Sequence, residues 1–124
     1  MIYIIDDDKS VRRSFELLLN SAGLNCQSYS SAKEFLEEYC LTEGDLLILD
    51  IHMPDMDGCE LLNLLKNKSI HVPVIVVTAY DEEKSRQVAK NYGVIGYLLK
   101  PVNGDELIEL IGNVIHSSVK HHSE

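Results

Sequence analysis

The sequence predicts an α/β fold, a parallel sheet wound on both sides by helices, and two observations carry the prediction. Short apolar runs rich in β-branched residues alternate with segments whose apolar residues recur at helical spacing. Runs that are apolar throughout are typical of strands buried on both faces of a parallel sheet. A strand followed by a helix, five times over, predicts a doubly wound sandwich with right-handed crossovers.

The strands are predicted from the apolar runs. Four runs are short and rich in branched residues, as buried central strands are. The run at residues 24–29 is weaker and more polar, which indicates an edge strand. The four central runs occupy residues 2–5, 46–49, 74–77 and 95–99.

The helices are predicted from apolar spacing and from their end signals. Gly23 stops a first helix, and Ser31 with Glu34 forms a capping box that opens a second, which runs to about Tyr39. Asp57 is the predicted cap of a third helix.

The last two helices differ in how much they bury. The fourth, at about residues 82–92, has only three apolar residues on one face, so we expect it to be the least firmly packed. Asn103 and Glu106 indicate the cap of a fifth helix with a long apolar stripe. The chain from about Ser117 onward is polar and is expected to fray.

Composition limits the function. The 124 residues suit one domain, and 20 Asp and Glu against 11 Lys and Arg give a net charge of -9. Such a surface repels phosphate backbones and anionic lipids, which argues against direct binding to nucleic acid or membrane. Three cysteines without metal-ligand spacing indicate a reducing compartment, and with no signal peptide or bilayer-length apolar stretch we expect a cytoplasmic protein.

Carboxylates follow two of the predicted strands. Asp6, Asp7 and Asp8 follow the first strand and Asp50 ends the third, so they meet at the same edge of a parallel sheet. Clustered carboxylates repel one another unless protons or a cation neutralise them. Mg²⁺ takes such oxygen ligands, and Asp7 and Asp50 with Asp6 nearby supply a set. A solvated acidic loop is the simpler alternative.

Two further strand ends favour chemistry over a solvated loop. Thr78 ends the fourth strand and Lys100 follows the fifth, which adds a hydroxyl and an ammonium group to the carboxylates. Phosphoryl transfer needs a nucleophile, a metal and donors for the phosphoryl oxygens. A carboxylate can form an acyl phosphate, so Asp50 is the predicted nucleophile.

Four segments at characteristic spacing carry a family resemblance: IIDDDKSVRR at residues 4–13, LILDIHMPDMDG at 47–58, VVTAY at 76–80 and GYLLKP at 96–101. The sequence resembles the receiver domain of two-component response regulators, a chemotaxis-regulator-like superfamily. The resemblance covers residues 1–117 as one receiver domain and leaves residues 118–124 as a polar tail. It implies a flavodoxin-like (βα)5 three-layer sandwich with strand order 2-1-3-4-5.

The resemblance also implies roles for the acidic residues. Asp50 accepts a phosphoryl group from a phosphohistidine of a sensor histidine kinase or a histidine phosphotransfer protein. Asp7 and Asp50 hold Mg²⁺ directly, and Asp6 often does so through water. The backbone carbonyl of His52 is the remaining protein ligand, so its imidazole is not implicated.

The other site residues are assigned in the same way. Lys100 pairs with the phosphoryl oxygens, Thr78 moves its hydroxyl onto the phosphate, and the Tyr97 ring swings inward as Thr78 moves. The face of the fourth helix, fifth strand and fifth helix then changes and signals to an output domain or a partner. The implied homodimers use this face or the first and fifth helices. The resemblance further implies a cis bond between Lys100 and Pro101.

Three alternative functions fit the sequence less well. A hydrolase of the haloacid dehalogenase type also uses a carboxylate nucleophile, but it needs a second Asp at position 52 and room for a substrate cap. A receiver-like interaction module that is never phosphorylated usually lacks an acid or the lysine, and here all are present. A calcium loop at residues 55–58 fails because alignment on Gly58 puts Met53 and Leu64 at the end ligand positions.

Overall fold

The chain alternates strands and helices throughout the computed structural model, which describes the backbone of residues 1–122 and the side chains of residues 1–115. The strands are β1 (Ile2–Ile5), β2 (Cys26–Tyr29), β3 (Leu46–Asp50), β4 (Val74–Thr78) and β5 (Gly96–Leu99). The helices are α1 (Lys9–Ser21), α2 (Ala32–Glu38), α3 (Gly58–Asn67), α4 (Glu83–Tyr92) and α5 (Gly104–His122).

The sheet confirms the predicted topology. Its five strands lie in the order β2-β1-β3-β4-β5, and every neighbouring pair is parallel. All residues of β3 and β4 are buried, as their unbroken apolar sequences predict. The polar strand β2 pairs only with β1 and is the predicted edge strand. The strand β5 pairs only with β4 and forms the other edge, and Leu98 is its only buried residue, so the prediction of a fully buried strand at residues 95–99 is wrong.

The core has two parts because successive side chains of a buried strand point to opposite faces of the sheet. In β3, Leu47 and Leu49 join a cluster with side chains of α2, α3 and α4. Leu46 and Ile48 join a second cluster with side chains of α1 and α5. The molecule is therefore a three-layer sandwich, as predicted.

The predicted helix caps are confirmed at α3 and α5 and half confirmed at α2. Asp57 forms a complete capping box with Glu60 at α3, and Asn103 accepts the backbone N–H of Glu106 at 3.0 Å. At α2, Ser31 accepts the backbone N–H of Glu34 at 3.0 Å. The Glu34 carboxylate accepts the Ser30 hydroxyl instead of the Ser31 amide, so the predicted box is closed on one side only.

The two C-terminal helices match the expected difference in packing. Within α4 only Ser85 and Ala89 are buried. In α5, Leu107 and Ile111 are fully buried. The α5 backbone continues as helix to His122, past the start of the predicted tail, and residues 123–124 lie outside the described residues, so the boundary at residue 117 stays a prediction. Across the described chain, none of the helices has both the length and the apolar character that a bilayer crossing requires.

Candidate functional site

The carboxyl ends of four strands bring the predicted site residues to one edge of the sheet. Ile5 pairs with Leu49, so Asp6 and Asp50 come next to each other at the ends of β1 and β3. Thr78 pairs with Leu99, which places Lys100 directly beyond that pair. The parallel strands thus place these residues at one edge of the sheet, as the sequence analysis predicts.

Three carboxylates form the acidic cluster. Asp6, Asp7 and Asp50 each offer an oxygen within 4.8 Å of the others. Asp6 and Asp50 are almost fully buried, at 0% and 3% exposure, whereas Asp7 is exposed and leaves the cluster open to solvent on one side. An oxygen-only donor set with room for water on one side fits Mg²⁺, which usually keeps several waters.

Lys100 bridges the two buried acids. Its Nζ donates to Asp6 Oδ2 at 2.9 Å and lies 3.4 Å from Asp50 Oδ1. Burial favours the neutral amine, but the hydrogen bond to Asp6 and the charges of Asp50 and Asp6 outweigh it and raise the pKa of Lys100. The lysine is therefore a fixed positive charge beside the predicted nucleophile.

The surroundings of Asp50 disfavour its charged form. Burial, followed by the charge of Asp6, raises its pKa to about 6, against the opposing effect of Lys100. Its carboxylate therefore ionises near neutral pH, and a cation that binds next to it stabilises the ionised form.

A stability difference between wild type and Asp50→Asn follows from this raised pKa. Between the unfolded value of about 3.9 and the folded value of about 6, the folded state binds more protons, so the wild type loses stability as pH rises through this window. In metal-free buffer we expect the variant to be more stable by about 2 to 3 kcal/mol at pH 7.5, and by almost nothing at pH 4. Urea unfolding at a series of pH values measures this difference, and a pH-independent difference contradicts the assignment.

Asp6 is held by contacts that the sequence analysis did not find. Its Oδ1 accepts the backbone N–H of Asp8 at 2.9 Å, and its backbone carbonyl accepts Arg12 Nη1 at 2.8 Å. Asp8 itself caps α1 by accepting the backbone N–H of Ser10 at 2.8 Å. An Asp directly before a helix is a recognisable cap signal, but nothing in the sequence identified Arg12 as the partner of a strand-end carbonyl.

The Thr78 hydroxyl is occupied by its own loop. Thr78 is fully buried, and its Oγ1 donates to the Tyr80 carbonyl at 3.0 Å and accepts the Tyr80 N–H at 3.1 Å. A hydroxyl has one proton to donate. Any oxygen that takes this proton therefore replaces the Tyr80 carbonyl.

Gly58 lets the loop after β3 return close to Asp50. Its N–H donates to the Ile51 carbonyl at 2.8 Å. A Cβ at this position would lie 2.5 Å from the Asp50 carbonyl oxygen and 2.8 Å from Ile51 Cα. The sequence analysis did not find this backbone contact, which links the start of α3 to the strand of the predicted nucleophile.

The His52 imidazole is engaged away from the carboxylates. Its Nε2 lies 2.9 Å from Glu82 Oε1, and its ring meets the Tyr80 ring edge-on with centroids 5.2 Å apart. The side chain thus joins the loop after β3 to the residue before α4. The role of the His52 carbonyl as a metal ligand stays a prediction.

Tyr97 lies on β5 with its hydroxyl buried. Its ring packs against the core cluster that contains Ala89 of α4. The bond between Lys100 and Pro101 is cis, as the resemblance implies. Whether Tyr97 changes position with Thr78 stays a prediction.

The chain is similar in sequence to known proteins of one family. A family model described as the response regulator receiver domain matches residues 2–112. The chain is 37% identical over 113 residues to the DNA-binding transcriptional regulator NtrC of Klebsiella pneumoniae, a match that covers 91% of this chain and 24% of that protein. It is 31% identical to the transcriptional regulatory protein FixJ of Bradyrhizobium diazoefficiens over 94% of this chain and 57% of that protein.

The solved structures show the same fold. The CheY-like response regulator receiver domain protein of Methanospirillum hungatei superposes with a TM-score of 0.83 at 30% identity, over 97% of this chain and 96% of that one. The chain spans about a quarter of the length of NtrC and just over half of FixJ.

Proposed function

This chain belongs to the response regulator receiver domain family, and we propose that within this family it is an active phosphoacceptor that carries the phosphoryl group on Asp50. The single observation that supports the proposal best is the arrangement around Asp50. A buried carboxylate with a raised pKa lies 3.4 Å from a lysine ammonium and within 4.8 Å of two further carboxylates. These are the parts that transfer to a carboxylate requires.

The transfer replaces one bond to phosphorus by another. An Asp50 oxygen attacks the phosphorus of a phosphohistidine, the P–N bond breaks, and the electron pair returns to the imidazole, which takes up a proton. Since the pKa of Asp50 is about 6, most of the carboxylate is ionised at pH 7 and can act as the nucleophile. Lys100 Nζ is placed to shift from the Asp50 oxygen to a phosphoryl oxygen.

Asp6, Asp7 and Asp50, with the His52 carbonyl, are the proposed ligands of Mg²⁺. When bound, the ion neutralises the charge that builds up on the phosphoryl oxygens. The Asp8 amide and Arg12 keep Asp6 in place for this role. Asp7, the exposed member of the cluster, leaves a path for the ion and its waters.

The signalling step follows from the single proton of Thr78. When its hydroxyl donates to a phosphoryl oxygen, its hydrogen bond to the Tyr80 carbonyl breaks. The loop between β4 and α4 is then free to move. The Tyr97 switch and the face formed by α4, β5 and α5 belong to the same proposal.

The two ends of α4 differ in a way that supports movement of this face. At the C-terminal end, Tyr92 Oη accepts the Val72 N–H at 3.2 Å and donates to the Ile70 carbonyl at 3.0 Å. Lys66 Nζ donates to the Asn91 carbonyl at 3.1 Å. At the N-terminal end Glu82 makes no side-chain cap. The C-terminal end of α4 is therefore held by hydrogen bonds to the backbone of neighbouring segments, whereas the N-terminal end is held by side-chain contacts that include the exposed pairs His52–Glu82 and Asp81–Arg86.

The proposed partners are a sensor histidine kinase or a histidine phosphotransfer protein, with a second copy of this chain as a candidate through α4, β5 and α5 or through α1 and α5. An output domain or separate target receives the signal, and this domain itself binds neither nucleic acid nor membrane. The cysteines Cys26, Cys40 and Cys59 carry free thiols, in keeping with a cytoplasmic location. Residues 1–117 form the proposed domain.

The proposed function is tested by labelling the purified chain with acetyl phosphate. We expect incorporation of up to about one phosphoryl group per chain, labile to hydroxylamine, and loss of labelling when EDTA removes Mg²⁺. Released phosphate should come only from slow hydrolysis of the labelled chain. Labelling that survives EDTA contradicts the metal site, and rapid multiple turnover of a phosphate ester supports a hydrolase instead. Absence of labelling at millimolar donor and Mg²⁺ supports an unphosphorylated interaction module.

A further inference from the structure

Arg86 of α4 contacts two parts of the switch region at once. Its Nε and Nη2 donate to the two carboxylate oxygens of Asp81, the second at 2.8 Å. Its guanidinium carbon lies 4.7 Å from the centroid of the Tyr97 ring. A planar guanidinium can make both contacts together, because the fork lies in the plane and the ring meets the face.

The contact with the Arg86 guanidinium helps to hold the Tyr97 ring in its observed position. Its hydroxyl is buried and has no hydrogen-bond partner among the described residues. Burial, followed by the charge of Asp81, raises the pKa of this hydroxyl, and the Glu82 backbone opposes the rise without forming a hydrogen bond to it. A buried hydroxyl without a hydrogen bond is unfavourable. The position of the ring therefore depends on its packing and on the cation above it.

Asp81 fixes the direction of Arg86. The arginine side chain is 54% exposed, so burial does not hold it over the ring. A bidentate carboxylate restricts the guanidinium far more than a single hydrogen bond does. Without Asp81, an exposed arginine has many rotamers available and few of them cover Tyr97.

Asp81 lies in the loop that Thr78 controls. The Thr78 hydroxyl holds both backbone groups of Tyr80, and Asp81 is the next residue. From the end of β4 a continuous path thus runs from Thr78 through the Tyr80 backbone to Asp81, and from Asp81 through Arg86 to the ring on β5. Among the described residues, Arg86 is the side chain that contacts both Asp81 and Tyr97.

We infer that Arg86, oriented by Asp81, is a positioning residue that holds the half-buried Tyr97 ring in its observed place before any phosphoryl group is present. We call this arrangement of Asp81 and Arg86 over the ring the clamp. The clamp itself is independent of the proposed function, whereas its use as a relay from Thr78 to β5 rests on it. Loss of the clamp frees the ring to leave its place in the resting chain. Arg86 contacts none of the three clustered carboxylates, so its loss should leave the acceptor chemistry intact.

Fluorine NMR of the chain labelled with 3-fluorotyrosine tests this inference. Tyr97→Phe identifies the Tyr97 resonance, and the shift between H2O and D2O reports exposure, with Tyr29 at 3% and Tyr80 at 65% exposure as internal references. Since Tyr97 is half-buried, its isotope shift in wild type should lie between those of Tyr29 and Tyr80, and in Arg86→Gln we expect it to move toward the Tyr80 value. Asp81→Asn should move it in the same direction, and the double variant should equal Arg86→Gln alone.

Three controls separate positioning from a general structural effect. Lys84→Gln removes a neighbouring positive charge of the same helix and should leave Tyr97 unmoved. Arg86→Lys keeps the charge but loses the fork, so it should give an intermediate shift. Tyr29 should stay constant in every variant. An unmoved Tyr97 in Arg86→Gln, additive effects of the two single changes, or an equal shift in Lys84→Gln overturns the inference.

Acetyl phosphate labelling of the same samples keeps this inference apart from the proposed function. Arg86→Gln should label at the wild-type rate. If wild type itself is not labelled, the proposed function fails while the NMR result still decides the clamp. If wild type is labelled but Arg86→Gln is not, Arg86 acts on the carboxylates and the positioning role is wrong.

Discussion

Asp50→Asn is expected to abolish phosphoryl incorporation from acetyl phosphate in the presence of Mg²⁺. The amide has no charge and is a far weaker nucleophile than the carboxylate, so no acyl phosphate forms at this position. The loss should be complete, because Asp6 is fully buried and its oxygens already accept hydrogen bonds from Lys100 and from the Asp8 amide. Intact mass spectrometry at neutral pH, before and after hydroxylamine, measures the incorporation.

The variant should lose labelling without losing its fold. Removal of a buried charge with a raised pKa favours the folded state, so circular dichroism and urea unfolding should show a chain at least as stable as wild type. Undiminished labelling of a folded Asp50→Asn chain contradicts the assignment of the nucleophile.

Asp55→Asn is the matched control for this experiment. Asp55 is exposed in the loop that follows β3, with a φ of 68°, a left-handed conformation that asparagine adopts readily. The change removes one carboxylate near the site with little backbone cost. Labelling should stay at the wild-type level, and a loss here equal to that of Asp50→Asn shows that net charge, not the nucleophile, controls labelling.

Gly58→Ala is expected to destabilise the chain by about 2 to 3 kcal/mol and to slow labelling of Asp50. The added Cβ would lie 2.5 Å from the Asp50 carbonyl oxygen and 2.8 Å from Ile51 Cα, and neither backbone atom can move like the end of a side chain. The loop after β3 must shift, which breaks the hydrogen bond from the Gly58 N–H to the Ile51 carbonyl. Urea unfolding gives the stability, and the initial rate of labelling gives the effect on the site.

Gly112→Ala tests the same chemical change at an open position. Gly112 lies within α5, and a Cβ there meets nothing within 4 Å. Alanine favours helix over glycine by about 0.8 to 1.0 kcal/mol, so this variant should gain stability and label normally. Equal stability of Gly58→Ala and wild type contradicts the close contact of the loop with β3.

Much of the fold follows from local sequence because buried parallel strands are apolar along their whole length. The runs at β1, β3 and β4 identified their strands to within a residue, and the polar β2 was recognised as the edge. The hydrogen bonds of the helix caps follow less directly from the sequence. The pairing of Ser31 with Glu34 was only half right, because Ser30 competes for the same carboxylate.

By itself the sequence determined which groups reach the acidic edge of the sheet. A residue that ends a parallel strand must lie at the carboxyl edge, so Asp6, Asp50, Thr78 and Lys100 were brought to one place by topology alone. The four motif segments then pointed to the family that the comparisons show.

Only the tertiary structure decided which partner each of these groups has. Lys100 Nζ lies 2.9 Å from an Asp6 oxygen and 3.4 Å from an Asp50 oxygen. The Thr78 hydroxyl donates to the carbonyl of Tyr80 in its own loop, and Arg86 lies over the Tyr97 ring. Each choice depends on side chains from separate strands and helices that compete for the same hydrogen bonds and the same space. Sequence spacing carries the period of a helix or a strand, but it carries no distance between elements, and these contacts are set by such distances.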